Sequence, residues 1–79
     1  MPKIFEQSGY HFSFYSNEGN ENTHVHIKKG DGIAKFWLEP EIAEEYSYGF
    51  TKRERRDIGL LIKENYSLII KKWYEYFGI

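Results

Sequence analysis

The period at which apolar residues recur changes near the middle of the chain, separating a strand-forming half from a helix-forming half. Lys3 to Glu6 predicts a short strand, which Ser8-Gly9 breaks. In Tyr10-His11-Phe12-Ser13-Phe14-Tyr15, the residues Tyr10, Phe12 and Phe14 alternate with His11, Ser13 and Tyr15, the period of a half-buried strand. The polar, glycine-containing segment 16–22 predicts a loop. Thr23 to Lys29 alternates again, and Gly30-Asp31-Gly32 leads into Ile33 to Leu38, the signature of a hairpin.

With Asp31-Gly32 as the central residues of a type I′ turn, paired positions sum to 63. Ile27 then faces Phe36, Val25 faces Leu38, His26 lies across from Trp37, and His24 lies across from Glu39. For the preceding hairpin, a pairing sum near 39 puts Phe12 and Phe14 on the face of Val25 and Ile27, and moves His11, Ser13 and Tyr15 to the histidine face. Glu39-Pro40 ends the last of these strands, because proline cannot donate to a ladder. Glu41 to Glu45 predicts a helical turn, and Tyr46 to Phe50 a connector.

Thr51-Lys52-Arg53-Glu54 is a capping box that starts a helix over 52–63, with Ile58, Leu61 and Ile62 inward and Phe50 stapling its entry. Asn65 ends this helix and caps a second, in which Tyr66, Ile69, Ile70, Trp73 and Phe77 recur at helical spacing before Gly78. The fold class is α+β: a small antiparallel sheet of three to four strands with a C-terminal α-helical hairpin packed on one face, as a single domain over residues 1–79.

Composition sharpens this picture. With 79 residues and no cysteine, neither a second domain nor disulfides are available, so apolar packing must hold the fold. Phe, Tyr and Trp make up 19% of the chain, which makes that core aromatic. Eleven Lys and Arg against twelve Asp and Glu give a net charge of −1, so any nucleic-acid contact has to come from a local basic patch. No apolar run approaches a membrane span and no signal-peptide core is visible, so a cytoplasmic protein with no membrane partner is expected.

Three groups of residues are candidates for chemistry. His24 and His26, two apart on a strand, point to one face, and the register adds Glu39 across from His24. These three are the catalytic candidates, either as two histidines and a carboxylate able to coordinate zinc or iron or as a His24 general base oriented by Glu39; spacing fixes no third ligand, so the metal signature is weak, and no cofactor is expected. The structural alternative is a polar face of a one-sided sheet with His26 packed on Trp37, and with His11 and Tyr15 bordering the cluster. Lys52, Arg53, Arg55 and Arg56 crowd a helix N-terminus, where cations are unfavourable, which marks them as candidate phosphate or nucleic-acid contacts. The competing reading pairs Arg53 with Asp57, or sets the basic run against the acidic stretch 39–45. Tyr46, Tyr48 and Trp37 are candidate partner contacts, with Tyr74 and Tyr76 as further surplus aromatics. Ser13 and Thr23 sit in no recognisable nucleophile motif.

Taken in order, Met1-Pro2-Lys3-Ile4, Phe14-Tyr15, Thr23-His24-Val25-His26-Ile27, Gly32-Ile33-Ala34, Phe36-Trp37-Leu38-Glu39-Pro40, Gly49-Phe50-Thr51 and Lys72-Trp73-Tyr74-Glu75-Tyr76-Phe77-Gly78 resemble the bacterial and phage domain-of-unknown-function family 4160 (DUF4160). The His-x-His strand followed by the Trp-containing last helix is the most specific part of this resemblance. Family members usually carry Pro-Pro before the first histidine, where this chain has Asn22-Thr23 and so lacks the stiffening that proline supplies. The resemblance implies a small cytosolic prokaryotic protein, often beside a small helix-turn-helix-type partner and suspected of belonging to toxin–antitoxin-like pairs. Two functions follow as expectations. One is a protein-binding component of such a pair. The other is a small RNA-directed hydrolase using the His24/His26 face and the basic helix start.

Overall fold

Residues 3–15 and 19–78 are described by the computed structural model. Met1-Pro2 of the resemblance and Ser16 to Glu18 of the predicted loop lie outside the described residues. The strands β1 (Lys3–Gln7), β2 (Tyr10–Ser13), β3 (His24–Lys29), β4 (Gly32–Trp37) and β5 (Ala43–Tyr48) form one antiparallel sheet in chain order, followed by the helices α1 (Lys52–Glu64) and α2 (Tyr66–Phe77). The α+β class is as expected, but the sheet has five strands rather than three to four.

The additional strand is β5, which replaces the helical turn predicted over 41–45 and the connector predicted over 46–50. Its sequence Ala43-Glu44-Glu45-Tyr46-Ser47-Tyr48 has no apolar alternation because no residue of it is fully buried. Tertiary partners hold it instead: Glu44 takes both ends of the Arg55 guanidinium at 2.9 and 2.7 Å, and Glu45 accepts from the Trp37 indole N–H. Phe36 faces Glu44 while Lys35 faces Tyr46, so Glu45 is the extra residue of a bulge.

The β2–β3 register matches the sequence expectation, with Phe12 across from Ile27 and Ser13 across from His26, a sum of 39. The β3–β4 register does not. Lys29 pairs with Gly32 and His24 with Trp37, so pairs sum to 61 and the turn is centred on Gly30-Asp31. Gly30 has φ 58° and Asp31 is not among the positive-φ residues, so glycine takes the first central position, as in a II′-type turn. A two-residue shift leaves every side chain on its expected face and changes only its partners.

The inner face of the sheet carries Tyr10, Phe12, Phe14, Val25, Ile27, Ala34, Phe36 and Leu38 into one core with Ile58, Leu61 and Ile62 of α1 and Ile69 and Trp73 of α2. Phe5 stacks on Phe12 with centroids 4.5 Å apart, and Trp73 meets Phe14 edge-on at 5.1 Å. The Thr51 capping box forms as predicted, with the Glu54 N–H donating to Thr51 Oγ1 and the Thr51 N–H to Glu54 Oε1. Gly78 terminates α2 in the left-handed region. Asn65 ends α1 as expected, its side-chain amide donating to the Leu61 carbonyl at 2.8 Å, but it gives the start of α2 no side-chain cap. No helix among the described residues is long and apolar enough to cross a membrane.

Candidate functional site

Because directly opposed residues of an antiparallel pair share a face, the pairings define the outer side of the sheet. One row runs Lys3, Ser13, His26, Lys35, Tyr46; the next runs Glu6, His11, Lys28, Ile33, Tyr48; His24 and Trp37 lie beyond them toward the strand ends. All the sequence-predicted aromatic and histidine candidates on strands therefore fall on this side.

The two histidines are part of its packing. His24 has no exposed surface, and its ring meets Trp37 at 5.4 Å, Trp73 at 5.0 Å and His26 at 5.2 Å. Its Nδ1 lies 2.8 Å from the Asn22 carbonyl, an atom that only accepts, so Nδ1 carries the proton of this bond. His26 is 5% exposed and lies flat against Tyr15, with centroids 3.7 Å apart and ring planes 8° from parallel. The expected packing of His26 on Trp37 is thus corrected: His24 is the histidine across from Trp37, and His26 faces Lys35. The Lys35 ammonium sits over the Trp37 ring at 4.5 Å and pairs with Glu21 at 2.8 Å. Tyr15 borders the cluster as expected, whereas His11 faces Lys28 and approaches Glu6 at 3.5 Å.

Glu39 is not across from His24, because the 61 register gives that position to Trp37. The Glu39 carboxylate instead receives the Thr23 hydroxyl at 2.6 Å and the Tyr74 hydroxyl at 2.7 Å, both on Oε1. These bonds favour the ionised form, so the Thr23 hydroxyl, then that of Tyr74, holds the carboxyl below the usual glutamate range; the bond to Glu39 in turn raises the Tyr74 phenol. The contact ties the end of the sheet to α2. Since the folded-state carboxyl is the more acidic, its contribution is complete above the ordinary glutamate value and is lost as pH falls through the lowered one. Acid titration of stability is expected to be shallower in Glu39→Gln than in the wild type, and identical acid limbs by circular dichroism would remove this role. Sequence spacing gave no signal for Tyr74 here, since it arrives from 35 residues away.

The basic helix start is exposed, and Arg55 is committed to Glu44. The predicted Arg53–Asp57 pair is not formed among the described residues; the basic run meets the acidic stretch through Arg55 instead. Lys52, Arg53 and Arg56 remain on the exposed first turns. A depression of about 460 Å³ on the outer face is lined by Lys3, His11, Ser13, Lys28 and Gly30, and two of its side chains, Lys3 and His11, already face Glu6 at 3.0 and 3.5 Å. No three His, Asp or Glu side chains among the described residues converge as a metal-ligand set.

The three partner-contact candidates come together on β4 and β5. Tyr46 and Tyr48 stack at 5.5 Å, Tyr48 is 65% exposed, and it lies across from Ile33, itself 41% exposed; Trp37 is half-buried on the same side. Ile33 escaped sequence reasoning because it reads as part of an ordinary apolar run.

A five-stranded antiparallel meander with a helical hairpin over one face and an aromatic, mixed-charge opposite face defines a small two-layer α+β domain. The family model described as Domain of unknown function (DUF4160) matches residues 9–74, and the chain belongs to that family. No curated protein and no solved structure matches it.

Proposed function

We propose that the chain is a protein-binding module, one component of a toxin–antitoxin-like or regulatory pair, and that it holds its protein partner on the outer side of β4 and β5. The observation that carries this reading is the exposed apolar patch of Ile33 and Tyr48, extended by Tyr46 and Trp37. An exposed tyrosine beside an aliphatic side chain, flanked by a half-buried tryptophan, supplies rigid contact area at small entropic cost, which is why such residues dominate binding energies. The hydrolytic alternative needs His24 to reach a substrate, and its ring has no exposed surface with which to do so.

The test is crosslinking and capture in the source cell, with a small helix-turn-helix-type neighbour as the first partner to assay. Tyr48→Ala removes an exposed ring without entering the core and is expected to weaken capture at least about tenfold. Tyr76→Ala, exposed on α2, is expected to leave it unchanged. Equal capture by wild type, Tyr48→Ala and Trp37→Ala would remove this surface from consideration.

A further inference from the structure

Beyond the protein contact on β4 and β5, we propose that the opposite edge of the outer face, on β1 to β3, binds single-stranded nucleic acid, with a phosphate in the depression beside Lys28 and a base on the ring of Tyr15. The depression's volume of about 460 Å³ is in the range of small-ligand sites. Strand parity builds it: Lys3 lies across from Ser13, Lys28 across from His11, and Ser13 and His11, two apart on β2, share the outer side. Two ammonium groups, an imidazole and a hydroxyl thus line one hollow, the kinds of side chain that contact phosphate oxygens. Lys28 has no ion-pair partner, and the Ser13 hydroxyl no hydrogen-bond partner, among the described residues.

The molecule already places an anionic oxygen here. Glu6 Oε1 is shared by Lys3 Nζ at 3.0 Å and His11 Nδ1 at 3.5 Å, so these two groups are spaced to hold one anion between them. An arriving phosphate competes with this carboxylate, whose side chain is 45% exposed and has solvent to turn into. Tyr15 lies two residues beyond Ser13, about 7 Å along an extended chain, a separation that one nucleotide spans. Its ring lies flat on His26, and 37% of the residue remains exposed. A base laid on it becomes the third layer of a stack whose lower two are already ordered, the arrangement by which aromatic side chains hold single strands without sequence preference. Acidic side chains of a protein would use the lysines but leave that ring face unused.

Fluorescence anisotropy of a labelled oligouridine of about ten nucleotides, titrated with the full chain at low salt, tests this directly. Micromolar binding that weakens as salt is raised is expected. Lys28→Glu is expected to weaken it at least about tenfold. Tyr15→Leu keeps an apolar cover on His26 while removing the ring, and is expected to weaken it at least about fivefold. Glu6→Gln removes the competing carboxylate and is expected to tighten it by about twofold or more. All three positions are exposed, and melting curves establish that each variant is folded before it is titrated. No anisotropy change up to about 1 mM protein would overturn the proposal, as would binding indifferent to both Lys28→Glu and Tyr15→Leu. Equal binding of a duplex, whose paired bases cannot reach Tyr15, or equal displacement by poly-glutamate would overturn the single-strand assignment, and uridine monophosphate binding as tightly as the oligouridine would reassign the site to a free nucleotide. Tyr48→Ala is expected to leave oligouridine binding unchanged, so the protein contact and the nucleic-acid contact can each fail alone.

Discussion

Trp73→Ala is expected to lower stability by about 3–5 kcal/mol, read as a fall in the urea midpoint at unchanged slope. The side chain is 1% exposed, and its ring contacts Phe14 at 5.1 Å, His24 at 5.0 Å and Phe77 at 4.2 Å, so it closes the core where the sheet end meets α2. Small domains have only about 5–15 kcal/mol in total, and truncation at this point leaves a variant near its unfolding threshold. Trp73→Phe keeps an aromatic in place and is expected to lose less than half as much. If alanine costs under about 1 kcal/mol, the junction between sheet and α2 is not where the fold is held. The same geometry governs how a histidine variant should be read: His24→Ala opens a cavity against both tryptophans, so a phenotype from it reports folding unless stability is measured alongside.

Gly49→Val is expected to cost at least about 2 kcal/mol, a drop of roughly 10 °C in thermal midpoint for a domain of this size. Gly49 has φ +79°, and a Cβ there would lie 3.1 Å from the Gly32 Cα and 3.3 Å from the Asp31 carbonyl oxygen. Both obstructing atoms are backbone, so neither can rotate away. Gly32 is constrained from the other side, since a Cβ on it would meet the Phe50 ring at 2.5 Å. The β3–β4 turn and the chain entering α1 are therefore locked together by two side-chain-free positions. A Gly49→Val protein with the wild-type midpoint would show that this crossing can yield.

The parts of the fold that could be read from sequence are those whose signals are local. Alternation in Tyr10 to Phe14 and Thr23 to Lys29, the capping box at Thr51 and the helical spacing of Ile58, Leu61, Ile62, Ile69 and Trp73 all act within a few residues, and each appears as expected. β5 was hidden because an edge strand with no fully buried residue has no reason to alternate, and its holding contacts to Trp37 and Arg55 come from 8 and 11 residues away. The turn was misplaced because Gly30-Asp31-Gly32 offers glycine on either side of the aspartate, and both registers preserve the faces.

For the candidate site, His24 and His26 were placed on one side of the sheet correctly, but their burial was not legible. Strand parity says which side a residue occupies and nothing of what lies over it. The covering groups, Tyr15 over His26 and Trp73 beside His24, depend on a loop and on a helix nearly fifty residues downstream. Glu39 lost its expected partner for the simpler reason that the turn moved.

The sequential order β1 to β5 followed by α1 and α2 has a consequence during synthesis. Every strand finds its neighbour as soon as the next segment emerges, so the sheet can assemble while translation continues, yet its apolar side stays uncovered until residues 52–77 leave the ribosome. At about 5–20 residues per second, that interval lasts on the order of seconds. During it, Phe12, Phe14, Val25, Ile27 and Phe36 form a wet, unprotected surface, and a premature stop anywhere before α2 would release a fragment with that surface permanently bare.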